Sequence, residues 1–103
     1  MVFHAVVTYP NDEDIKFDEE YYLKTHMPLV ESIWAPQLLS WSVIKYTNDM
    51  SGNRSQYLIA ARLVFESQES MQTALKSPKS AEVFADISNF TNKTPITLAG
   101  ADL

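Results

Sequence analysis

The chain has no cysteine, which removes disulfides, thiolate metal sites and cysteine nucleophiles from consideration. Glycine is nearly absent: Gly52 and Gly100 are its two copies, too few and too far apart for a glycine-rich phosphate loop. Arginine is equally scarce, at Arg54 and Arg62 alone. With a formal net charge of −5 and no basic stripe, a phosphate backbone or an anionic membrane should be repelled. Two histidines without cysteine make a transition-metal centre a poor fit. The acidic cluster Asp12, Glu13, Asp14, Asp18, Glu19 and Glu20 lacks the spacing and turn glycine of a hard-cation loop. It reads as a solvated loop leading into a helix. No apolar run approaches the roughly 20 residues of a membrane span. Met1-Val2-Phe3-His4 lacks the basic start of a secretory leader. The expected location is cytoplasmic, with the sequons at Asn53, Asn89 and Asn92 unmodified.

What remains is an ordinary globular composition, 46% apolar and 20% charged over 103 residues. That length suits one domain covering residues 1–103, with a modest core. Val2 to Tyr9 is rich in β-branched and aromatic residues and stops at a Tyr-Pro turn signal. Asp18 offers a helix cap, and Phe17 and Tyr22 have the spacing of a hydrophobic staple. Tyr22, His26, Leu29, Val30 and Ile33 then form a helical stripe that ends at Ala35-Pro36.

Ser40 to Thr47 and Gln56 to Phe65 read as strands around an Asn-Asp/Ser-Gly turn. In the second, Tyr57, Ile59, Ala61, Leu63 and Phe65 alternate and are expected to face the helices. Ser67 caps a further helix, Ser77-Pro78 restarts it, and Val83, Phe84, Ile87 and Phe90 continue its apolar face. Pro95 to Ala99 closes the pattern as an edge strand. The order βαββαβ is that of an α+β, ferredoxin-like fold with a four-stranded antiparallel sheet. The other sheet face carries Leu58, Ala60, Arg62 and Val64 beside Val2, His4, Val6 and Thr8. That is too apolar for a wet face, so a second copy of the chain is its expected cover.

Two blocks of sequence resemble the EthD family. Tyr9-Pro10 with Phe17-Asp18-Glu19-Glu20-Tyr21-Tyr22-Leu23-Lys24-Thr25-His26-Met27-Pro28-Leu29-Val30 is similar to its first signature. Phe65-Glu66-Ser67, Ala74-Leu75, Ser77-Pro78 and Ala85-Asp86-Ile87-Ser88-Asn89-Phe90 are similar to its second. The resemblance implies a dimeric α+β barrel with a pocket between sheet and helices for small aromatic, polyketide-like or lactone molecules. It also implies cofactor-free chemistry, among isomerisation, dehydration, decarboxylation and oxygenation, often filed under oxidoreductases.

His26 carries the sharpest functional signal, because it lies one turn after Tyr22 on an apolar face and titrates near neutrality. The bland alternative is a core histidine bonded to a carbonyl. Pro28 removes a helical hydrogen bond at a cost of ~3 kcal/mol unless something compensates. Either the bend opens a pocket at His26, or the helix simply restarts there. Asp86 has two readings of equal weight: it orients an imidazole, or it faces water and caps the turn at Asn89. Tyr9, Trp34, Tyr57 and Phe90 are the candidate aromatic lining for a substrate. His4 is expected at the dimer face. The expected function is a cofactor-independent enzyme using His26 with Tyr22 and Asp86, and no metal. A non-catalytic binding module, and a haem-binding relative with His26 as axial ligand, are the alternatives.

Overall fold

The computed structural model describes residues 2–103. Strands β1 (Phe3–Pro10), β2 (Leu38–Lys45), β3 (Tyr57–Phe65) and β4 (Ile96–Ala101) form one antiparallel sheet in the order β2-β3-β1-β4. Between β1 and β2 runs a continuous helical segment. It opens as α1 (Glu19–Tyr21), widens to a π turn (Tyr22–His26) and continues as α2 (Met27–Trp34). Between β3 and β4 come α3 (Gln68–Leu75), α4 (Ser80–Ala85) and a 3-10 turn (Asp86–Asn89). This is the ferredoxin-like arrangement, with all helices on one sheet face. The shortest molecular dimension, 19 Å, is that of a sheet plus a single helix layer.

The local signals act as capping chemistry requires. Asp18 accepts the Tyr21 amide at 3.0 Å, and Ser67 accepts that of Ser70 at 3.1 Å. The staple closes with the Phe17 and Tyr22 rings 5.0 Å apart. The second helical region differs from expectation at its break. Ser77–Lys79 forms a turn, closed by the Ser80 amide on the Ser77 carbonyl, so α4 starts two residues beyond Pro78. The core lies between helices and inner sheet face, around Tyr9, Tyr22, Val30, Leu63, Phe65 and Val83.

Two expectations about facing need correction. The stripe of the first helix holds at Tyr22, His26 and Val30, with Ile33 packed at the core's edge, but its centre shifts by one residue. Val30 and Trp34 are buried where Leu29 and Ile33 are only half-buried, and Met27 joins the core. The cause is the π turn, in which the Met27 amide reaches back to the Tyr22 carbonyl five residues away. One extra residue in a turn shifts the phase of all that follows.

The second correction is Tyr57. Between Tyr9 and Pro10 the β1–β3 register shifts, so Pro10 pairs with Tyr57 while Tyr9 pairs with Ile59. Proline has no amide to donate to the ladder, and the strand bulges where it sits. Leu58 therefore packs toward the core. Tyr57 lines a depression with Val6, Thr8 and Leu98 on the sheet face away from the helices.

Candidate active site

His26 lies inside the π turn and is 4% exposed. Its ring stacks at 14° on Tyr22 with centroids 5.7 Å apart, and Phe90 backs it at 4.5 Å. Nδ1 is 2.9 Å from Oδ2 of Asp86, sixty residues further along the chain. The two meet because the chain before α1 is tied to the segment after the 3-10 turn. The Asp18 amide donates to the Phe90 carbonyl at 2.8 Å, and Thr91 Oγ1 donates to the Lys16 carbonyl at 2.7 Å. Asp86 lies against the imidazole and also bonds Asn89 of the following turn, so each reading of it holds in part.

Asp86 is held by more than His26. The Tyr21 hydroxyl donates to Oδ1 at 2.6 Å, and Asn89 Nδ2 donates to the same oxygen at 2.9 Å. Burial pushes the Asp86 carboxyl up, but hydrogen bonds from Tyr21, Asn89 and His26 outweigh it and hold the group below the usual carboxylate range. Donation to Asp86 in turn raises the Tyr21 phenol. An ionised Asp86 only accepts, so Nδ1 of His26 carries the hydrogen and Nε2 keeps the free lone pair. Burial lowers the His26 pKa more than Asp86 raises it, so a neutral, basic imidazole is the form present near pH 7.

Tyr21 had no role in the sequence reading, and Asn89 entered it only as the turn that Asp86 would cap. Asn89 had a signal, since it follows Asp86 by three residues on a helical turn. Tyr21 had none, because it flanks the buried stripe and its partner lies 65 residues away.

Tyr22 is 1% exposed, and its hydroxyl has no hydrogen-bond partner among the described residues. Burial pushes the phenols of Tyr22 and Tyr9 well above their ordinary value, so both are protonated donors. Tyr9, Tyr22 and His26 line a cavity of ≈ 40 Å³ whose other walls, such as Val30, Trp34 and Leu63, are largely apolar. Of the expected aromatic lining, Tyr9 and Trp34 reach this cavity and Phe90 sits behind the imidazole. Tyr57 does not, being on the opposite sheet face. Trp34 Nε1 is satisfied by Ser80 Oγ at 2.8 Å, so Trp34 serves as fixed wall.

The other charged groups lie away from this site. Lys93 Nζ bridges Asp14 at 2.6 Å and Asp12 at 3.4 Å, pinning the acidic loop. His4 is on the outer sheet face, its Nε2 3.0 Å from Asp102 Oδ1 without the alignment of a hydrogen bond.

A ferredoxin-like sheet, one helix layer and a buried His–Asp pair beside an apolar cavity define a small α+β protein with a candidate site between its layers. The chain belongs to the EthD family, whose domain matches residues 12–94. An EthD-like protein from Ralstonia eutropha JMP134 shares the fold at a TM-score of 0.87 and 26% identity, over 96% of this chain and 89% of that one. An EthD family protein from Bacillus halodurans C-125 gives 0.79 and 22%, over the whole of both chains. An uncharacterized 11.0 kDa protein of the thcB-thcC intergenic region in Rhodococcus erythropolis is 28% identical over 91 residues, 88% of this chain and 85% of that protein.

Proposed function

We propose that this protein is a cofactor-independent enzyme that moves a proton on a small carbonyl-bearing metabolite of aromatic, polyketide-like or lactone type. The observation that carries this reading is a basic His26, oriented by Asp86, beside a buried Tyr22 hydroxyl with no protein partner. An unsatisfied buried hydroxyl costs about 1–3 kcal/mol, which a substrate carbonyl would relieve. Tyr22 donates to that oxygen while Nε2 of His26 takes the adjacent proton. Asp86 holds the tautomer and stabilises the imidazolium that forms. An enol or enolate is the intermediate shared by isomerisation, dehydration, decarboxylation and carbanion attack on dioxygen; His26 removes the proton that forms it or, where loss of CO2 forms it, returns one to carbon, so one site of this kind serves any of them.

The test is solvent deuterium incorporation next to the carbonyl, followed by NMR across a panel of straight 2-alkanones, aryl ketones and β-keto lactones. Replacing His26 by Gln should slow incorporation by about 10²–10⁴-fold with the fold intact. A His26→Gln protein that exchanges at full rate would overturn the catalytic reading in favour of a binding module. We propose further that the working unit is a homodimer joined through the outer sheet face. Ile44 is 56% exposed there and Leu98 64%.

A further inference from the structure

The cavity at His26 is not the whole of the apolar space. A second cavity of ≈ 310 Å³ adjoins it, sharing Val7, Trp34, Leu63, Phe84 and Thr97 as walls. It extends between the sheet and the helices to Phe65, Met71 and Leu75. Its floor is low because two alanines, Ala5 on β1 and Ala99 on β4, are register partners on the inner face. Among the described residues no Asp, Glu, Lys or Arg lines either cavity.

The two volumes ask different things of a ligand. A cavity of about 150 Å³ takes a benzene ring, so ≈ 40 Å³ at His26 admits a carbonyl and a methyl group but no ring. The outer space, at ≈ 310 Å³, sits at the low end of small-molecule pockets, about 300–1,000 Å³. We infer that the substrate is an uncharged carbonyl compound with a slim head and a long apolar tail. The head meets His26 and Tyr22, and the tail lies over Ala5 and Ala99, its length limited by Met71 and Phe65. This rests on the reading of His26 and Tyr22 as the carbonyl end and narrows the substrate from rings in general to a chain at the reacting end.

The probe is a series of straight 2-alkanones from four to fourteen carbons, with binding followed by calorimetry and by emission of Trp34, which walls both cavities. Affinity should rise about fourfold per methylene until the outer space is full, then level off. Ala99 is exposed on an edge strand, so Ala99→Trp should fold normally, fill the floor and bring the plateau forward by several carbons. The shortest ketones should bind it as they bind the parent. Met71→Ala should move the plateau the other way. An affinity independent of chain length, or an Ala99→Trp protein that weakens every member equally, would refute the tail site. A sodium alkanoate binding as tightly as the ketone of equal length would refute the uncharged head. The two readings separate cleanly. A flat series with His26-dependent deuterium exchange removes only the tail site, and a stepped series with His26→Gln fully active removes only the catalysis.

Discussion

Tyr22 and His26 are stacked neighbours, yet removal of their polar atoms should have opposite consequences for the fold. Phenylalanine at position 22 keeps the ring packing and deletes a buried hydroxyl that has no partner. Tyr22→Phe should therefore hold or gain up to about 1 kcal/mol in denaturant unfolding while losing exchange activity. A loss of stability would mean that the hydroxyl is satisfied in solution. His26 has a folded pKa below its unfolded value near 6.5, so between the two the unfolded chain binds more protons. Its contribution is intact above pH 6.5 and falls as the pH drops through that window. Asp86, also lowered, adds a second loss further down, below the ordinary carboxylate range. Urea melts from pH 7 to pH 5 should show the parent losing stability while His26→Gln stays flatter. The acid limb of activity should likewise lie below pH 6.5.

At the scale of the element, the π turn is the device that brings His26 to Asp86. Pro28 is its local cause: it is at the start of α2 and cannot donate to the Lys24 carbonyl. Widening the preceding turn removes the clash and leaves the imidazole in the expanded stretch. Pro28→Ala restores a donor and permits an ordinary α-helical turn, so the melting temperature should hold or rise. The same change should rephase the helix, disturb the His26–Asp86 bond and weaken binding of the alkanone probes. A large fall in melting temperature with unchanged binding would show that Pro28 serves folding alone.

For the whole molecule, the open question is the sheet face without helices. The corrected register takes Leu58 off this face and puts Tyr57 on it, with Val6, Ile44, Ile96 and Leu98 around the central, exposed Arg62. Ala60 and Val64 are already buried within the chain, so the exposed apolar area lies toward β2 and β4. Water is a poor solvent for such a face, and a second copy is the cover that the two-fold symmetry of small oligomers favours. Ultracentrifugation at micromolar concentration should give twice the 11.7 kDa chain mass, and Leu98→Lys should shift the population to monomer. A species of 11.7 kDa alone would exclude this assembly.

The chain's local grammar was enough to determine the order of elements, the caps at Asp18 and Ser67, the Phe17–Tyr22 staple and the shared face of Tyr22 and His26. Each depends on residues within about one helical turn or on strict alternation, and both are properties of neighbouring positions. Only the tertiary structure decided the rest. A π turn and a strand bulge each insert one residue into a regular count, and a count made on ideal geometry missed Met27 and Trp34 in the core and assigned Tyr57 to the wrong face. Asp86 met His26 and Tyr21 because the backbone bond from Asp18 to Phe90 clasps distant segments together. The outer cavity has its room because small Ala5 and Ala99 fall side by side across strands joined in register. Pairings over sixty residues follow from how layers pack, and periodicity along the chain carries no information about them.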